Sequence, residues 1–292
     1  MKVLCLHGRG SNTEVSHDAQ IFRMQTAAIR SFLEPEYHFE FVEGRWPHLE
    51  GNWSVHTTDF SKSKVSTHAF AVTWLSPFTN SFQKLYGFYN GLDISDILAT
   101  ENELREIIAE HGPFDGILGY SQGGTLAAQL VIHYIVENPF ATIQELPLKF
   151  AIFINGATPP CVLPLGEQEA YDCALAEFEE AAHLFKVFKP NDIDNVTRLR
   201  PAKLSNGRKV VTDGVHYMTR YSPDWDGQVI SIPTLHVRGR GDHSDYGEGL
   251  LDLCDPSMAE DLLHIYGHDF PRGLEMSRTI AQLIRKTAAK AC

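Results

Sequence analysis

Short, nearly unbroken apolar runs recur along the chain, separated by stretches in which apolar residues return every three or four positions. The runs "KVLCL" (2–6), "FDGILGY" (114–120), "LKFAIFI" (148–154), "PTLHV" (233–237) and "DLLHIY" (261–266) predict strands, and "YHFEFVEG" (37–44) alternates like one. Most of them lack a polar side, so both faces of the sheet they form must be covered. Helical spacing marks "AQIFRMQTAAIRSFL" (19–33), "ISDILATENELREIIAEHG" (94–112), "TLAAQLVIHYIVEN" (125–138) and "GLEMSRTIAQLIRKTAAKA" (273–291), and Gly112-Pro113 stops the second of these. Strands alternating with helices imply an α/β fold with a mostly parallel sheet and helices on both faces.

Two intervals break the rhythm. Residues 45–93 carry a dense set of aromatics, among them Trp46, Trp53, Trp74 and Phe78, and residues 158–230 carry a predicted helix, "EQEAYDCALAEFEEAAHLFKVF" (167–188). A polar loop with Tyr217, Tyr221 and Trp225 is expected after that helix. Intervals this long inside a compact domain serve as lids or binding loops. Both are therefore candidate walls of a cleft, and Trp74, Phe78, Tyr120 and Tyr217 are the expected substrate-facing side chains.

With 292 residues, 43% of them hydrophobic, the chain is long enough for one domain over 1–292 with insertions at about 45–93 and 158–230. A net charge of −12 argues against nucleic acid and anionic membranes as partners, since both are polyanions. The apolar stretch after Lys2 is too short for a signal peptide, and no run approaches the length of a membrane span, so a soluble cytoplasmic protein is expected. Five cysteines without CxxC spacing read as free thiols rather than as a disulfide framework or a zinc site.

The chemistry centres on Gly119-Tyr120-Ser121-Gln122-Gly123, a G-x-S-x-G match lying between a predicted strand and a predicted helix. A serine hydroxyl becomes a nucleophile only when a base takes its proton, and acyl transfer needs donors aimed at the developing oxyanion. In this architecture the acid follows a late strand, which points to Asp242 after "PTLHVRGRG", with Asp245 as the near competitor. The base must come after Asp242, leaving His243, His264 and His268. His243 adjoins Asp242, so their side chains diverge, and His264 falls within a strand pattern. His268, after a glycine at the strand's end, is the choice. Taken as metal ligands, Asp242, His243, Asp245, His264, His268 and Asp269 form no defined frame, so neither a metal nor a cofactor is expected. For the oxyanion, the backbone N–H of Gln122 needs a second donor from the loop "LHGRGSN". Arg9 is the choice there and Gly10 the alternative, while His7 is expected to organise the loop.

The blocks "KVLCLHGRGSN", "FDGILGYSQGG", "FAIFINGATP", "IPTLHVRGRGD" and "GHDFP" together resemble the FSH-type serine hydrolases of the α/β-hydrolase superfamily, the family related to the ovarian-cancer-associated hydrolase. The resemblance implies an α/β-hydrolase fold with Ser121 as nucleophile, Asp242 as acid and His268 as base. Within that family the chain looks most like fungal members of polyketide biosynthesis, a branch of secondary metabolism. Those members act as thioesterases on carrier-bound acyl chains or as esterases on the product. The expected activity is hydrolysis of an ester or thioester of a hydrophobic acyl chain through an acyl-enzyme. An acyl carrier protein is a candidate partner, but such proteins are acidic like this chain. Docking would need a local basic patch, for which Arg198, Arg200, Lys203, Arg208 and Lys209 are candidates. The alternatives are an acyltransferase or lactone-forming enzyme with the same triad, and a catalytically silent small-molecule-binding protein on this fold.

Overall fold

The computed structural model describes residues 1–10, 21–48, 85–89, 93–164, 170–172, 199–242 and 245–292. Six strands form the central sheet: β1 (Lys2–Leu6), β2 (His38–Val42), β5 (Gly116–Tyr120), β6 (Phe150–Ile154), β12 (Thr234–Gly239) and β13 (Ala259–His264). They lie in the order β13-β12-β6-β5-β1-β2, and every neighbouring pair is parallel. The helices are α1 (Ile21–Ser31), α2 (Ile94–His111), α3 (Gln122–Glu137), α4 (Pro223–Asp226), α5 (Asp245–Asp252) and α6 (Leu274–Lys290). This is the mostly parallel α/β architecture that the apolar runs predicted, and the α/β-hydrolase fold that the resemblance implied.

Alternation along each central strand divides the core into two layers. Val3 and Cys5 of β1 point to the side of Phe22, Ile29, Ile280 and Ile284 from α1 and α6. Leu4 and Leu6 point the other way, to Ile97, Leu104, Leu126 and Leu130 from α2 and α3. Each such fully buried aliphatic side chain contributes about 1.5–3 kcal/mol of transfer free energy. Helix α2 begins at Asp93, whose carboxylate accepts from Asp96 N, and it ends where Gly112 N donates to Ile108 O, just before Pro113. No helix among the described residues is long and apolar enough to cross a membrane.

Among the described residues of the interval 158–230, a sheet takes the place of the expected polar loop and of residues 170–172 of the expected helix, whose remaining residues lie outside the described ones. That sheet is antiparallel in the order β7-β11-β10-β9-β8, formed by Pro160–Pro164, His216–Arg220, Lys209–Thr212, Arg200–Leu204 and Ala170–Asp172. Ala170–Asp172 lies inside the predicted helix yet pairs with β9, because an open strand edge offers its backbone groups partners that outweigh local helical spacing. The two tight connections are Asn206-Gly207 and Asp213-Gly214, with both glycines at positive φ, which is a legible hairpin signal. Of the interval 45–93, the described ends form the antiparallel pair β3 (Trp46–His48) and β4 (Leu85–Gly87) and the buried Phe88 and Tyr89.

Candidate active site

The site gathers at the C-terminal ends of the parallel strands, where β1, β5, β6, β12 and β13 all release their loops. Between β5 and α3, Ser121 holds φ 52° and ψ −116°, a strained conformation for a residue with a side chain. That turn exists because its flanks are glycine. A Cβ on Gly123 would lie 2.3 Å from Leu6 O, and one on Gly119 would lie 2.3 Å from Gly123 O. Any larger residue would push the helix off the sheet. The turn lifts Ser121 Oγ to within 2.8 Å of His268 Nε2.

His268 Nδ1 in turn lies 2.8 Å from Asp242 Oδ2. A carboxylate only accepts, so Nδ1 carries the proton and Nε2 is left to accept from the serine hydroxyl. This is the tautomer a general base requires. Asp242 thus meets the imidazole, while Asp245 opens helix α5. His243 lies outside the described residues. His264 is fully buried and turned to Asn155 Oδ1 (3.2 Å), and Asp269 pairs with Arg272 (2.5 Å).

The loop after β1 runs beside Ser121: a Cβ on Gly8 would approach Ser121 Cβ to 3.4 Å. Gly10 N already donates to Tyr86 O (2.9 Å), which engages the alternative oxyanion donor. Gln122 is the first residue of α3, so its N–H has no partner within the helix. His7 is fully buried, with Nε2 accepting from Gly44 N (2.9 Å) and Nδ1 donating to Gly8 O (2.7 Å). Burial lowers its pKa to about 4, so it stays neutral and braces the loop, the organising role expected of it.

The aromatic residues expected to face substrate fare differently. Trp74 and Phe78 lie outside the described residues. Tyr217 packs into the small sheet's own cluster with Ala202, Leu204 and Val210. Tyr120 is buried among Phe22 and Phe270, and its hydroxyl donates to His268 O (2.9 Å). Its ring supports the histidine loop from below. Of the basic patch, Arg198 lies outside the described residues. Arg208 is buried in a two-pronged pair with Asp226 (2.7 and 2.6 Å), which removes it from any docking surface.

Three features escaped the sequence reading. The Gln122 side chain, beyond its backbone role, accepts from Phe88 N (2.9 Å) and donates to Tyr89 O (3.0 Å), pinning the segment after β4 to the nucleophile turn. Gly239 ends β12 so close to the histidine loop that a Cβ there would lie 1.7 Å from Gly267 O. Asn155 follows β6 at φ 47°; an Asn-Gly pair directly after a buried strand was the available signal.

A parallel sheet with this nucleophile turn, and a histidine between a serine and a carboxylate, defines a serine hydrolase of the α/β-hydrolase class. The chain matches the serine hydrolase (FSH1) family over residues 1–280 and belongs to that family. Among its relatives, Hydrolase FUB4 of Fusarium oxysporum f. sp. lycopersici is 26% identical over 306 residues, covering 98% of each chain. Esterase FPY3 of Fusarium mangiferae is 26% identical over 295 residues, covering 100% of this chain and 98% of its own. A solved carboxylesterase from Bacillus cereus is similar at 15% identity with a TM-score of 0.46, over 98% of this chain and 87% of that one. The protein is thus a serine hydrolase.

Proposed function

We propose that the protein cleaves an ester or thioester of a hydrophobic acyl chain through an acyl-enzyme, with Ser121, His268 and Asp242 as nucleophile, base and acid. His268 Nε2 takes the hydroxyl proton as Ser121 Oγ bonds to the acyl carbon. The carbonyl π electrons move onto oxygen, to which the amides of Arg9 and Gln122 donate hydrogen bonds. Collapse of the tetrahedral species expels the alcohol or thiol, which takes the proton from His268. Water then repeats the sequence and frees the acid. Asp242 holds the imidazole in its tautomer and stabilises the imidazolium.

The observation that carries this reading is the pair of 2.8 Å contacts on the two ring nitrogens of His268. Release of a polyketide acyl chain from a carrier protein is the finer reading and rests on the family resemblance. With Arg208 committed to Asp226, a docking surface would have to use Arg200, Lys203 and Lys209, which line one pair of strands. One domain with two insertions, in the cytoplasm, is the reading for the whole chain.

The test is Ser121→Ala against a panel of p-nitrophenyl esters and acyl-N-acetylcysteamine thioesters, with fluorophosphonate labelling of the wild type. Abolished turnover and a Ser121 adduct are expected. Retained activity in the variant, or a wild type that resists the probe, would overturn the assignment. Products analysed with and without an added alcohol separate hydrolysis from acyl transfer.

A further inference from the structure

We propose that Asn155, together with the Tyr120 hydroxyl, positions His268 for proton transfer; the inference rests on the reading of His268 as the base. Asn155 is buried and holds φ 47°, a region that asparagine tolerates better than most residues with side chains. Its Oδ1 accepts from Gly239 N (3.0 Å) and faces His264 Nε2 (3.2 Å). Its Nδ2 donates to the carbonyls of His268 (3.0 Å) and Asp269 (3.0 Å), with Gly267 O further off at 3.4 Å.

The orientation of that amide is forced. Gly239 N–H can only donate and the loop carbonyls can only accept, so exchanging Oδ1 and Nδ2 would oppose like groups on both sides. His264 agrees with it: its Nδ1 accepts from Tyr266 N (3.2 Å), so its Nε2 bears the proton and donates to Asn155 Oδ1. Every donor and acceptor of the Asn155 side chain is therefore used, and the partners fall on three segments. One is the end of β12 leading to Asp242, one is the end of β13, and one is the loop that carries His268.

The His268 carbonyl receives a second donor, the Tyr120 hydroxyl at 2.9 Å, from the residue directly before Ser121. Thus the backbone of the base is held at both lone pairs of one oxygen, from the β5 side and from the β6 side. Asp242 is tied to the same frame, because its N–H donates to Gly239 O (3.2 Å) while Asn155 holds Gly239 N. With both loops fixed, only side-chain rotation remains to His268, and its two 2.8 Å contacts limit that. A buried asparagine serving stability alone would have no reason to spend its hydrogen bonds on the two loops that bear acid and base.

Two variants test this. Tyr120→Phe keeps the ring between Phe22 and Phe270 and removes one donor. Asn155→Asp keeps the shape and the Oδ1 acceptor and removes both donors. The measurements are kcat and KM on a p-nitrophenyl ester, the rate of Ser121 labelling by a fluorophosphonate, and Tm. Both kcat and the labelling rate should fall about tenfold in Tyr120→Phe, the loss of one hydrogen bond, and about a hundredfold in Asn155→Asp, with KM little changed. Wild-type kcat and labelling rates in folded variants, or a loss confined to KM or Tm, would overturn the proposal. If Asn155→Asp does not fold, Tyr120→Phe alone decides. A wild type that is not labelled at Ser121 sinks the reading of the site itself, whereas a labelled wild type with equally reactive variants sinks only the positioning role.

Discussion

Replacing Gly239 by alanine should disable the enzyme without touching Ser121, Asp242 or His268. The added methyl would sit 1.7 Å from the carbonyl oxygen of Gly267 and 2.4 Å from its carbonyl carbon. Ordinary contact begins at 3.4 Å, so the gap must widen by the difference of 1.7 Å, and both parties are backbone that cannot rotate away. Asn155 holds Gly239 N and the His268 carbonyl at 3.0 Å each, so the clash strains the end of β12 and the histidine loop together. Gly267 directly precedes His268, so the displacement falls on an imidazole only 2.8 Å from Ser121 Oγ. A reacting group misplaced by about 1 Å costs on the order of a hundredfold in rate, or about 2.7 kcal/mol of activation free energy. The assay is kcat and KM on a p-nitrophenyl ester beside Tm, with Gly207→Ala as control. That control strains a hairpin glycine at φ +93° in the small sheet, where the nearest side-chain atom is 3.9 Å away. Gly239→Ala should lose about a hundredfold in kcat, and Gly207→Ala should lose only stability. A folded Gly239→Ala protein with kcat within a few-fold of wild type would refute the argument.

Burial lowers the pKa of His7 and His264 to about 4 and of His236 to about 3, from an ordinary 6.5. The unfolded chain therefore binds more protons below pH 6.5, and each histidine removes up to roughly 1.4 kcal/mol of stability per pH unit as the pH falls from 6.5 toward its folded value. Urea midpoints measured from neutral pH downward should decline, and a flat profile would contradict the assignment of neutral buried histidines. Asp226→Asn leaves the buried Arg208 guanidinium without its carboxylate, at a cost of roughly 3 kcal/mol. A Tm several degrees lower is expected, and an unchanged Tm would show that the pair is not stabilising in place. Gln122→Ala retains its backbone N–H but strands the buried N–H of Phe88 and frees the segment to which Gly10 is tied through Tyr86 O. A kcat about tenfold lower is expected, and full activity would show that the Gln122 side chain does not hold the oxyanion loop.

What the sequence determined by itself was local in origin. Apolar runs and helical spacing identified the six parallel strands and the helices α1, α2, α3 and α6, because periodicity reports which faces of an element are covered. The glycine-flanked turn at Ser121 was legible too, since a Cβ on Gly119 or Gly123 would lie 2.3 Å from backbone oxygen. The antiparallel sheet was missed although Asn206-Gly207 and Asp213-Gly214 announce its hairpins; Ala170–Asp172 carries a helical pattern that pairing with β9 overrides. Only the tertiary structure decided how the loops meet. The order β13-β12-β6-β5-β1-β2 sets the end of β6 beside the end of β12, and the loop after β13 reaches back to it, so one asparagine amide touches both Gly239 N and the His268 carbonyl. It also turns the Tyr120 hydroxyl to the His268 carbonyl, 148 positions away. Such contacts depend on which strands are neighbours, a long-range property set by packing the whole sheet, and no short window of the chain contains it.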